Sequence, residues 1–351
     1  MGSVYRALMI GAGGMAGRWL RRFLTPFYDR VQIVGLCDID PQILNEQGDW
    51  LGLPPEARFT EMEPAFEKTE ADCCLIAIPP RFHRQAAELA AHRGMHILSE
   101  KPIADTWEDC VAVYKAVQSN GVKMEVVQNY RYSPRIQTLK KYLEAGEIGR
   151  LNYIVARFAA DYRRRGGWGS PFRHEIRHSL LIEGSVHHFD QIRHLSGADC
   201  RWIAGWDWNP NHPAFDGECC GLFVAQMTNG VFAQYEGNCL EGGEENNWHD
   251  ELYRLEGDQG ALSVGRDQRV RLYRHTPGEG LTVRELPNVR MERQGHIELF
   301  QQFFDWLDGG PTPPTALEDN IKSAAMLFGA IEASETNTVV DVTAKLRGAL
   351  G

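Results

Sequence analysis

Two short motifs in this sequence carry residue types suited to acid–base chemistry. Glu183 and His187 are four residues apart, close enough to interact if a helix begins within this stretch. A histidine with an ordinary pKa near 6.5 suits general-base catalysis, and an adjacent carboxylate would fix its tautomer. Glu100-Lys101-Pro102 supplies a lysine that could donate to a substrate oxygen and stabilise a developing alkoxide. On spacing alone, the histidine could also be packed at a helix start and the lysine could lie in a solvated surface turn.

A third motif, Gly11-x-Gly13-x-x-Ala16, has the form of a dinucleotide-binding fingerprint. It follows an apolar run and opens a helical pattern, so its backbone N–H groups could bind phosphates at a helix N-terminus. Asp38 closes the next apolar run, where a carboxylate accepts hydrogen bonds from ribose hydroxyls and repels a 2′-phosphate. This predicts NAD rather than NADP as cofactor. The alternative for Asp38 is a helix cap before Pro41.

The elements around these motifs alternate between strand and helix in the first third of the chain. Apolar runs predict strands at 5–10, 31–37, 72–78, 95–99 and 123–127. Helices are predicted at 82–93 and 107–118. This alternation indicates a doubly wound parallel sheet, a Rossmann-type α/β domain, whose ligands bind at the carboxyl ends of the strands. Ile78-Pro79 and Glu100-Lys101 end two of these strands, so both segments should face the cofactor.

The pattern changes after about residue 125. Strands predicted at 151–160, 201–208, 219–227, 231–239 and 252–256 are separated by turns rather than helices. Asn229-Gly230 predicts a tight hairpin between two of them. Helices are predicted at 186–195, 298–307 and 316–334. We therefore predict an NAD-binding domain at 1–125 and an α+β domain with a mostly antiparallel open sheet at 126–351.

Composition limits the functional classes. The 351 residues suggest two domains, and 43% hydrophobic with 24% charged residues is typical of a soluble protein. A net charge of −10 disfavours nucleic-acid binding, and no run of about 18 apolar residues predicts a membrane span. The N-terminus shows no export signal, and the eight cysteines form no C-x-x-C motif, so we predict a cytoplasmic protein with reduced thiols.

His174-Glu175-Ile176-Arg177-His178 matches H-E-x-x-H, which on a helix binds zinc in metalloproteases. A glycine-rich stretch, 166–171, precedes it closely, and Arg173 and Arg177 would repel a cation. We expect no metal ligand from this motif or elsewhere in the chain.

The same region is rich in arginine: Arg163-Arg164-Arg165 precedes Arg173 and Arg177. Guanidinium groups bind carboxylate, sulfonate and phosphate bidentately, so an arginine-lined pocket for an anionic sugar is one interpretation. A solvated loop is the other. Trp168 could stack on a sugar ring or lie in the core.

Together these residues resemble the glucose-fructose oxidoreductase/inositol dehydrogenase/rhizopine catabolism (Gfo/Idh/MocA) family over nearly the whole chain. The resemblance rests on the following motifs: Gly11-x-Gly13-x-x-Ala16, Asp38, Pro79-x-x-x-His83, Glu100-Lys101-Pro102, Asn129-Tyr130-Arg131-Tyr132 and Glu183-x-x-x-His187-x-x-Asp190. It implies catalytic roles for Lys101 and His187, and a C-terminal sheet that builds homodimers or homotetramers. Many dehydrogenases of the family have Asp where this chain has Glu183, which could still relay protons to His187.

From the motifs and the resemblance we predict two sets of contacts. The cofactor contacts are Gly11, Gly13, Gly14, Met15, Ala16, Asp38, Ile78, Pro79, His83, Glu100, Lys101 and Asn129. The substrate contacts are Lys101, Tyr130, Arg131, Arg163, Trp168, Arg173, His174 and His188.

The predicted function is NAD-dependent hydride transfer at a sugar or polyol hydroxyl carbon, with a uronate or sulfonated sugar as possible substrates. One alternative is an NAD-dependent glycosidase that works by transient oxidation and elimination. A zinc metalloprotease and a non-catalytic NAD-binding sensor are weaker alternatives. Neither a nucleic acid nor a membrane is an expected partner.

Overall fold

The computed structural model describes residues 3–243 and 251–350. The chain forms two compact units. The N-terminal unit comprises Met1–Asn129 and Gly295–Ile321, and the C-terminal unit comprises Tyr130–Gln294 and Lys322–Gly351. The sequence places the domain boundary at residue 125, and in the structure the chain first passes from one unit to the other after Asn129. The predicted division does not include the return of residues 295–321 to the N-terminal unit.

The N-terminal unit contains a six-stranded parallel sheet with strand order β3-β2-β1-β4-β5-β6. Its strands are β1 (Tyr5–Ile10), β2 (Val31–Cys37), β3 (Arg58–Phe59), β4 (Cys73–Ile76), β5 (His96–Ser99) and β6 (Met124–Val126). Its first helices are α1 (Gly14–Arg18, continued by a π-helical turn at Trp19–Phe23), α2 (Pro41–Leu51), α3 (Met62–Lys68), α4 (His83–His92) and α5 (Trp107–Asn120). This strand order confirms the predicted doubly wound fold.

A later helix, α8 (His296–Leu307), supplies aromatic side chains to the core of the same unit. Phe300 packs edge-on against Trp19 with ring centroids 5.0 Å apart, and Phe304 lies 5.7 Å from Phe27. The sequence predicts this helix but not its partners, because almost 300 residues separate it from β1.

The C-terminal unit contains a nine-stranded sheet with order β14-β13-β12-β11-β7-β10-β9-β8-β15. Its strands are β7 (Leu151–Ala159), β8 (Cys200–Trp208), β9 (Cys220–Met227), β10 (Phe232–Asn238), β11 (Leu252–Gly257), β12 (Ala261–Val264), β13 (Val270–Thr276), β14 (Gly280–Leu286) and β15 (Val340–Asp341). Its helices are α6 (Pro134–Glu144), α7 (Val186–Ser196), α9 (Leu317–Thr336, which begins in the N-terminal unit) and α10 (Val342–Leu350). Strands β7 and β10 pair in parallel and the other neighbours are antiparallel, which confirms the mostly antiparallel sheet.

The predicted hairpin at Asn229-Gly230 joins β9 to β10, and Gly230 has a φ of +90°. Strands β12, β13 and β14 were not predicted, because polar and charged residues interrupt their apolar pattern and most of β14 is exposed. Within residues 3–243 and 251–350, no helix has both the length and the apolar character needed to cross a membrane.

Candidate functional site

The glycine-rich loop after β1 is built for close backbone approach. Gly11 has a φ of +102°, and a Cβ there would lie 2.4 Å from the carbonyl oxygen of Ala77, so a side chain is excluded. Gly14 has a φ of +49°, and a Cβ at this position would meet nothing within 4 Å, so this side of the loop is open. Ala16 is fully buried beneath the loop. These features fit a nucleotide whose phosphates lie against the start of α1.

Asp38 links the end of β2 to this loop. Its Oδ2 accepts hydrogen bonds from the backbone nitrogens of Ala12 (2.6 Å) and Gly13 (3.2 Å), and its Oδ1 accepts one from Asp40 N (2.9 Å). The helix cap is instead Asp40, whose carboxylate accepts from Gln42 N and Ile43 N at the start of α2. The alternative interpretation of Asp38 as a cap is therefore wrong. Asp38 instead ties the end of β2 to the glycine-rich loop, and its contact with an adenosine ribose remains a prediction.

His83 holds together two of the segments that were predicted to face the cofactor. Its ring is fully buried, and its Nδ1 and Nε2 lie 2.8 Å from the carbonyl oxygens of Pro102 and Ile78, respectively. The ring thus joins the segment after β4 to the segment after β5. This geometry gives His83 a supporting role behind the cofactor segments rather than a surface position among them.

Glu100, next to the predicted catalytic lysine, is buried within a cluster of side chains. Its Oε1 accepts from Trp19 Nε1 (3.0 Å) and lies 3.5 Å from His296 Nε2, while Oε2 accepts from the backbone nitrogen of Lys101 (3.3 Å). His296 stacks on Phe23 at 4.4 Å. Burial by itself would raise the pKa of Glu100, but His296, Lys101 and Trp19 together lower it. A charged Glu100 therefore fixes the backbone of Lys101.

In the C-terminal unit, His187 lies at the start of α7, after a π-helical turn at Leu180–Ser185. Its ring stacks face to face on Tyr130, with centroids 4.1 Å apart and planes 2° apart. Both side chains are largely buried. The stacking fixes the plane of the imidazole, which a positioned acid–base group requires.

Glu183 is 2% exposed, and the structure pairs it with an arginine. Its Oε2 accepts from Arg173 Nε at 2.8 Å, and Arg173 Nη1 also donates to the carbonyl of Trp168 at 3.0 Å. The carboxylate therefore anchors the segment that carries Arg173. The relay from Glu183 to His187 remains a prediction.

Arg131, which was predicted to contact substrate, forms a buried ion pair within the C-terminal unit. Its Nε and Nη2 donate to the two carboxylate oxygens of Asp190 at 2.7 and 2.6 Å, and Ser323 donates to the same carboxylate at 2.7 Å. With 5% of its side chain exposed, Arg131 has a structural role in this ion pair, and its predicted substrate contact remains a prediction.

His188 and His174 lie in the interior. His188 Nδ1 is 2.9 Å from the hydroxyl of Tyr235, which also contacts Ser185 at 2.7 Å. His174 Nε2 accepts from Trp168 N (3.4 Å), so Nδ1 carries the proton and donates to Ala214 O (2.9 Å). Burial lowers the pKa of His174, which keeps this ring neutral. Both nitrogens of His174 are thus bonded within the protein, whereas Nε2 of His188 has no hydrogen-bond partner among the described residues. The substrate contacts predicted for the two rings remain predictions.

Acidic side chains compensate most of the positive charge of the arginine-rich segment. Arg163 binds Asp161 through two nitrogens, Arg165 binds Asp216 at 2.6 Å and Arg177 binds Glu335 at 3.0 Å. Trp168 is buried and stacks on Tyr162, with ring centroids 5.0 Å apart. Of the two interpretations of Trp168 from the sequence, this is the one that places it in the core. The segment therefore has little net positive charge with which to attract an anion.

The H-E-x-x-H motif does not lie on an α-helix. A single 3₁₀ turn spans Pro171–His174, and His178 has a φ of +49° in the following turn. His174 binds Ala214 O, whereas His178 Nδ1 lies 2.8 Å from Asp207 Oδ2. The two histidines have separate partners, so the metalloprotease arrangement is not formed.

The other predicted cofactor residues lie where expected along the chain. Ile78 and Pro79 follow β4, and Asn129 begins a 3₁₀ turn after β6. Sequence reasoning missed His296 and the pairing of Arg173 with Glu183. No signal marks His296, since its partner Glu100 is almost 200 residues away, whereas an acid and a base ten residues apart could have suggested the second pair.

A six-stranded parallel sheet with a glycine-rich loop after its first strand, followed by a domain with a mostly antiparallel sheet, is typical of two-domain dinucleotide-binding enzymes. Residues 5–128 match the family model described as oxidoreductase family, NAD-binding Rossmann fold, and residues 136–263 match the Gfo/Idh/MocA C-terminal domain. The chain therefore belongs to the Gfo/Idh/MocA family, and its cofactor is NAD.

Similar proteins cover nearly the full length of the chain. The uncharacterized protein y4oX of Sinorhizobium fredii is 37% identical over 96% of both chains. A D-apiose dehydrogenase of Rhizobium rhizogenes is 23% identical over 90% of this chain and 91% of its own. A crystal structure of an Agrobacterium radiobacter oxidoreductase in complex with NAD+, L-tartaric acid and magnesium superimposes with a TM-score of 0.85 at 22% identity, covering 98% of this chain and all of that one.

Proposed function

We propose that this protein is an NAD-dependent dehydrogenase of a sugar or polyol. The observation that carries the proposal is the combination of the Asp38-anchored glycine loop with Lys101 and the stacked His187, in a chain of this family. A D-apiose dehydrogenase and a scyllo-inositol 2-dehydrogenase are among its relatives. Bound NAD would supply the hydride acceptor, and the protein would supply orientation and proton transfer.

In this proposal each side chain has a distinct task. His187 removes the hydroxyl proton from the substrate, and its stacking on Tyr130 restricts its orientation. Lys101 donates a hydrogen bond to a substrate oxygen, with its backbone held by Glu100. Glu183 holds Arg173, and with it the segment that leads from Trp168 towards α7.

The pairing of the arginines favours a neutral substrate over an anionic one. Arg163, Arg165 and Arg173 each bind an acidic side chain of this chain. An incoming uronate or sulfonate would have to compete with these internal carboxylates. A polyhydroxylated neutral sugar needs only hydrogen bonds.

The test is a panel of neutral aldoses, polyols, uronates, sulfonated sugars and aryl glycosides, incubated with NAD while NADH and aglycone are followed together. NADH accumulation with a neutral sugar or polyol is the expected result, and Lys101→Met should abolish it. Aglycone release without net NADH would identify a glycosidase instead. Turnover restricted to uronates or sulfonated sugars would contradict the neutral-substrate assignment.

We also propose a homodimer or homotetramer formed through the outer face of the C-terminal sheet. This face exposes apolar side chains on three adjacent strands: Trp206, Trp208, Leu222, Val224 and Phe232. Trp206 is 56% exposed and pairs in register with Leu222. An apolar patch of this kind on a sheet is typical of a protein interface. Leu222→Lys should convert the oligomer to a monomer in light scattering, whereas Glu144→Lys, at an exposed position of α6 outside the sheet, should not.

The eight cysteines are all free and buried. This supports a reducing compartment, the cytoplasm, as the place where the enzyme works. Activity that is the same with and without a thiol reductant, after expression in the cytoplasm, would support this assignment. A disulfide-bonded active form would contradict it.

A further inference from the structure

A second polar cluster lies in the C-terminal unit, outside the residues assigned to catalysis. His178 Nδ1, a carboxylate oxygen of Asp207 and a carboxylate oxygen of Glu218 all lie within 4.8 Å of one another. The Nδ1 atom is 2.8 Å from Asp207 Oδ2 and 3.7 Å from Glu218 Oε2. A tetrahedral zinc site with bonds of about 2.0–2.2 Å places its ligand atoms roughly 3.3–3.5 Å apart, between these two values.

One atom of the cluster lacks a protein partner. Oδ1 of Asp207 is buried and accepts no hydrogen bond from any residue within 3–243 or 251–350, although the Asp207 side chain is completely shielded from solvent. A buried carboxylate oxygen without a donor carries a desolvation cost that a bound cation removes. This orphaned oxygen is evidence for a ligand beyond the acidic character of the cluster.

The surroundings of His178 have the arrangement that supports a metal-binding histidine. Its second ring nitrogen, Nε2, lies 3.3 Å from Glu335 Oε1, and Arg177 holds the same carboxylate oxygen at 3.0 Å. A histidine that binds a metal through one nitrogen typically donates the other N–H to a carboxylate. The backbone nitrogen of His178 donates to Glu218 Oε2 at 2.7 Å and so orients the third candidate ligand.

The backbone also brings these ligands together. A Cβ on Gly217 would lie 2.1 Å from the carbonyl oxygen of Ile176, so only glycine allows the segment before Glu218 to approach the segment before His178. Asp207 reaches the cluster from β8. Three separate parts of the chain thus converge on one point.

We propose that His178, Asp207 and Glu218 bind a divalent transition-metal ion, with zinc as the probe, and that Glu335 orients His178 for it. The mixed imidazole and carboxylate ligands match zinc better than magnesium or calcium, which prefer six or more oxygen ligands. The metal would tie the segment that carries Trp168 and Arg173 to the sheet. This site is distinct from the H-E-x-x-H arrangement and departs from the sequence-based expectation of no metal.

The test uses tag-free full-length protein, dialysed against a chelator and then equilibrated with zinc chloride, magnesium chloride or calcium chloride. We expect one zinc per chain by elemental analysis and a higher melting temperature with zinc alone. Asp207→Asn and Glu218→Gln should each weaken zinc binding by more than tenfold, and Glu335→Gln by about 10–100-fold. Asp216→Asn, an exposed acid two residues from Glu218 and paired with Arg165, is the matched control and should bind zinc normally.

A measurement on the wild-type protein keeps the test decisive if a variant fails to fold. Cobalt(II) bound to nitrogen and oxygen ligands gives ligand-field bands without a thiolate-to-cobalt charge-transfer band. That spectrum, displaced by one equivalent of zinc, is the expected result. A thiolate band, no zinc uptake, or uptake unchanged in both Asp207→Asn and Glu218→Gln would overturn the proposal.

Discussion

The two units of this protein form their candidate sites from different kinds of chemical groups. In the N-terminal unit, backbone groups of the glycine loop and one carboxylate, Asp38, meet at the carboxyl ends of parallel strands. In the C-terminal unit, charged side chains such as Arg131 and Arg173 bind other side chains of the same unit. A glycine-rich backbone motif can therefore locate a binding site from the sequence alone. A charged residue shows only that it needs an oppositely charged partner, and this partner can be a ligand or another side chain of the protein.

The largest effect is expected from replacing His187, the proposed general base of the C-terminal unit. His187→Ala should lower kcat by about 10²–10⁴-fold, because general-base catalysis contributes that much. NAD binding, measured by fluorescence titration, should stay nearly unchanged. A loss of NAD affinity as large as the loss of turnover would show that His187 supports the cofactor instead.

The next prediction separates structural from substrate-binding arginines. Arg131→Met should destabilise the protein by about 3–5 kcal/mol in urea unfolding, because it leaves Asp190 buried and uncompensated. Arg163→Met removes an exposed ion pair with Asp161 and serves as the matched control, with an unchanged unfolding transition. If Arg131→Met instead raised KM at unchanged stability, the substrate contact predicted from the sequence would be restored.

A smaller effect is expected from the acid in the N-terminal unit. Asp38→Asn should lower kcat/KM for NAD by about 10–100-fold, since a hydrogen bond to a charged group is worth roughly 1.5–3 kcal/mol, and should reduce discrimination against NADP. Asp40→Asn is the control, because Asn caps a helix as well as Asp does. Equal effects of the two substitutions would indicate that Asp38 only shapes the loop.

The last prediction concerns stability alone, through a buried acid remote from catalysis. Burial, with a contribution from Glu298, raises the pKa of Glu125 to about 8, although Thr315 donates to it at 2.6 Å. Because the unfolded pKa is about 4.3, the folded state holds the extra proton between these values. The free energy of unfolding should therefore fall by up to about 1.4 kcal/mol per pH unit as pH rises from 5 to 8.

Glu125→Gln should remove this slope in urea unfolding curves recorded across that pH range. Glu70→Gln, at an exposed acid of the same unit, should leave it in place. A slope that persists in Glu125→Gln would assign the pH dependence to other groups.

Sequence patterns predicted the parts of the fold that have regular periodicity. The first two strands coincide with the predicted bounds, and the hairpin at Asn229-Gly230 follows from local turn chemistry. The exposed strand β14 and the pairing of His296 with Glu100 could not be predicted. In the first case Leu281 and Val283 are exposed, so no buried apolar face marks the strand. In the second case the partners are brought together by tertiary packing alone.

The ion pairs of the arginines could not be predicted from the sequence for a related reason. Charge and spacing show that Arg173 could bind an anion, but not that Glu183 already provides one. The same limit applies to His174, whose two ring nitrogens are taken by backbone groups. Motifs can thus locate a candidate site. Only the folded structure shows which of its side chains remain available to bind a ligand.

The return of α8 to the N-terminal unit has a consequence for how the protein is made. Phe300, which packs on Trp19, leaves the ribosome about 170 residues after the first segment of that unit ends at Asn129. At about 5–20 residues per second, the nascent nucleotide-binding domain waits roughly ten to thirty seconds for the helix that completes its core. During that interval the apolar surface around Trp19 and Phe27 is open to chaperones, and any truncation before residue 295 leaves it so permanently.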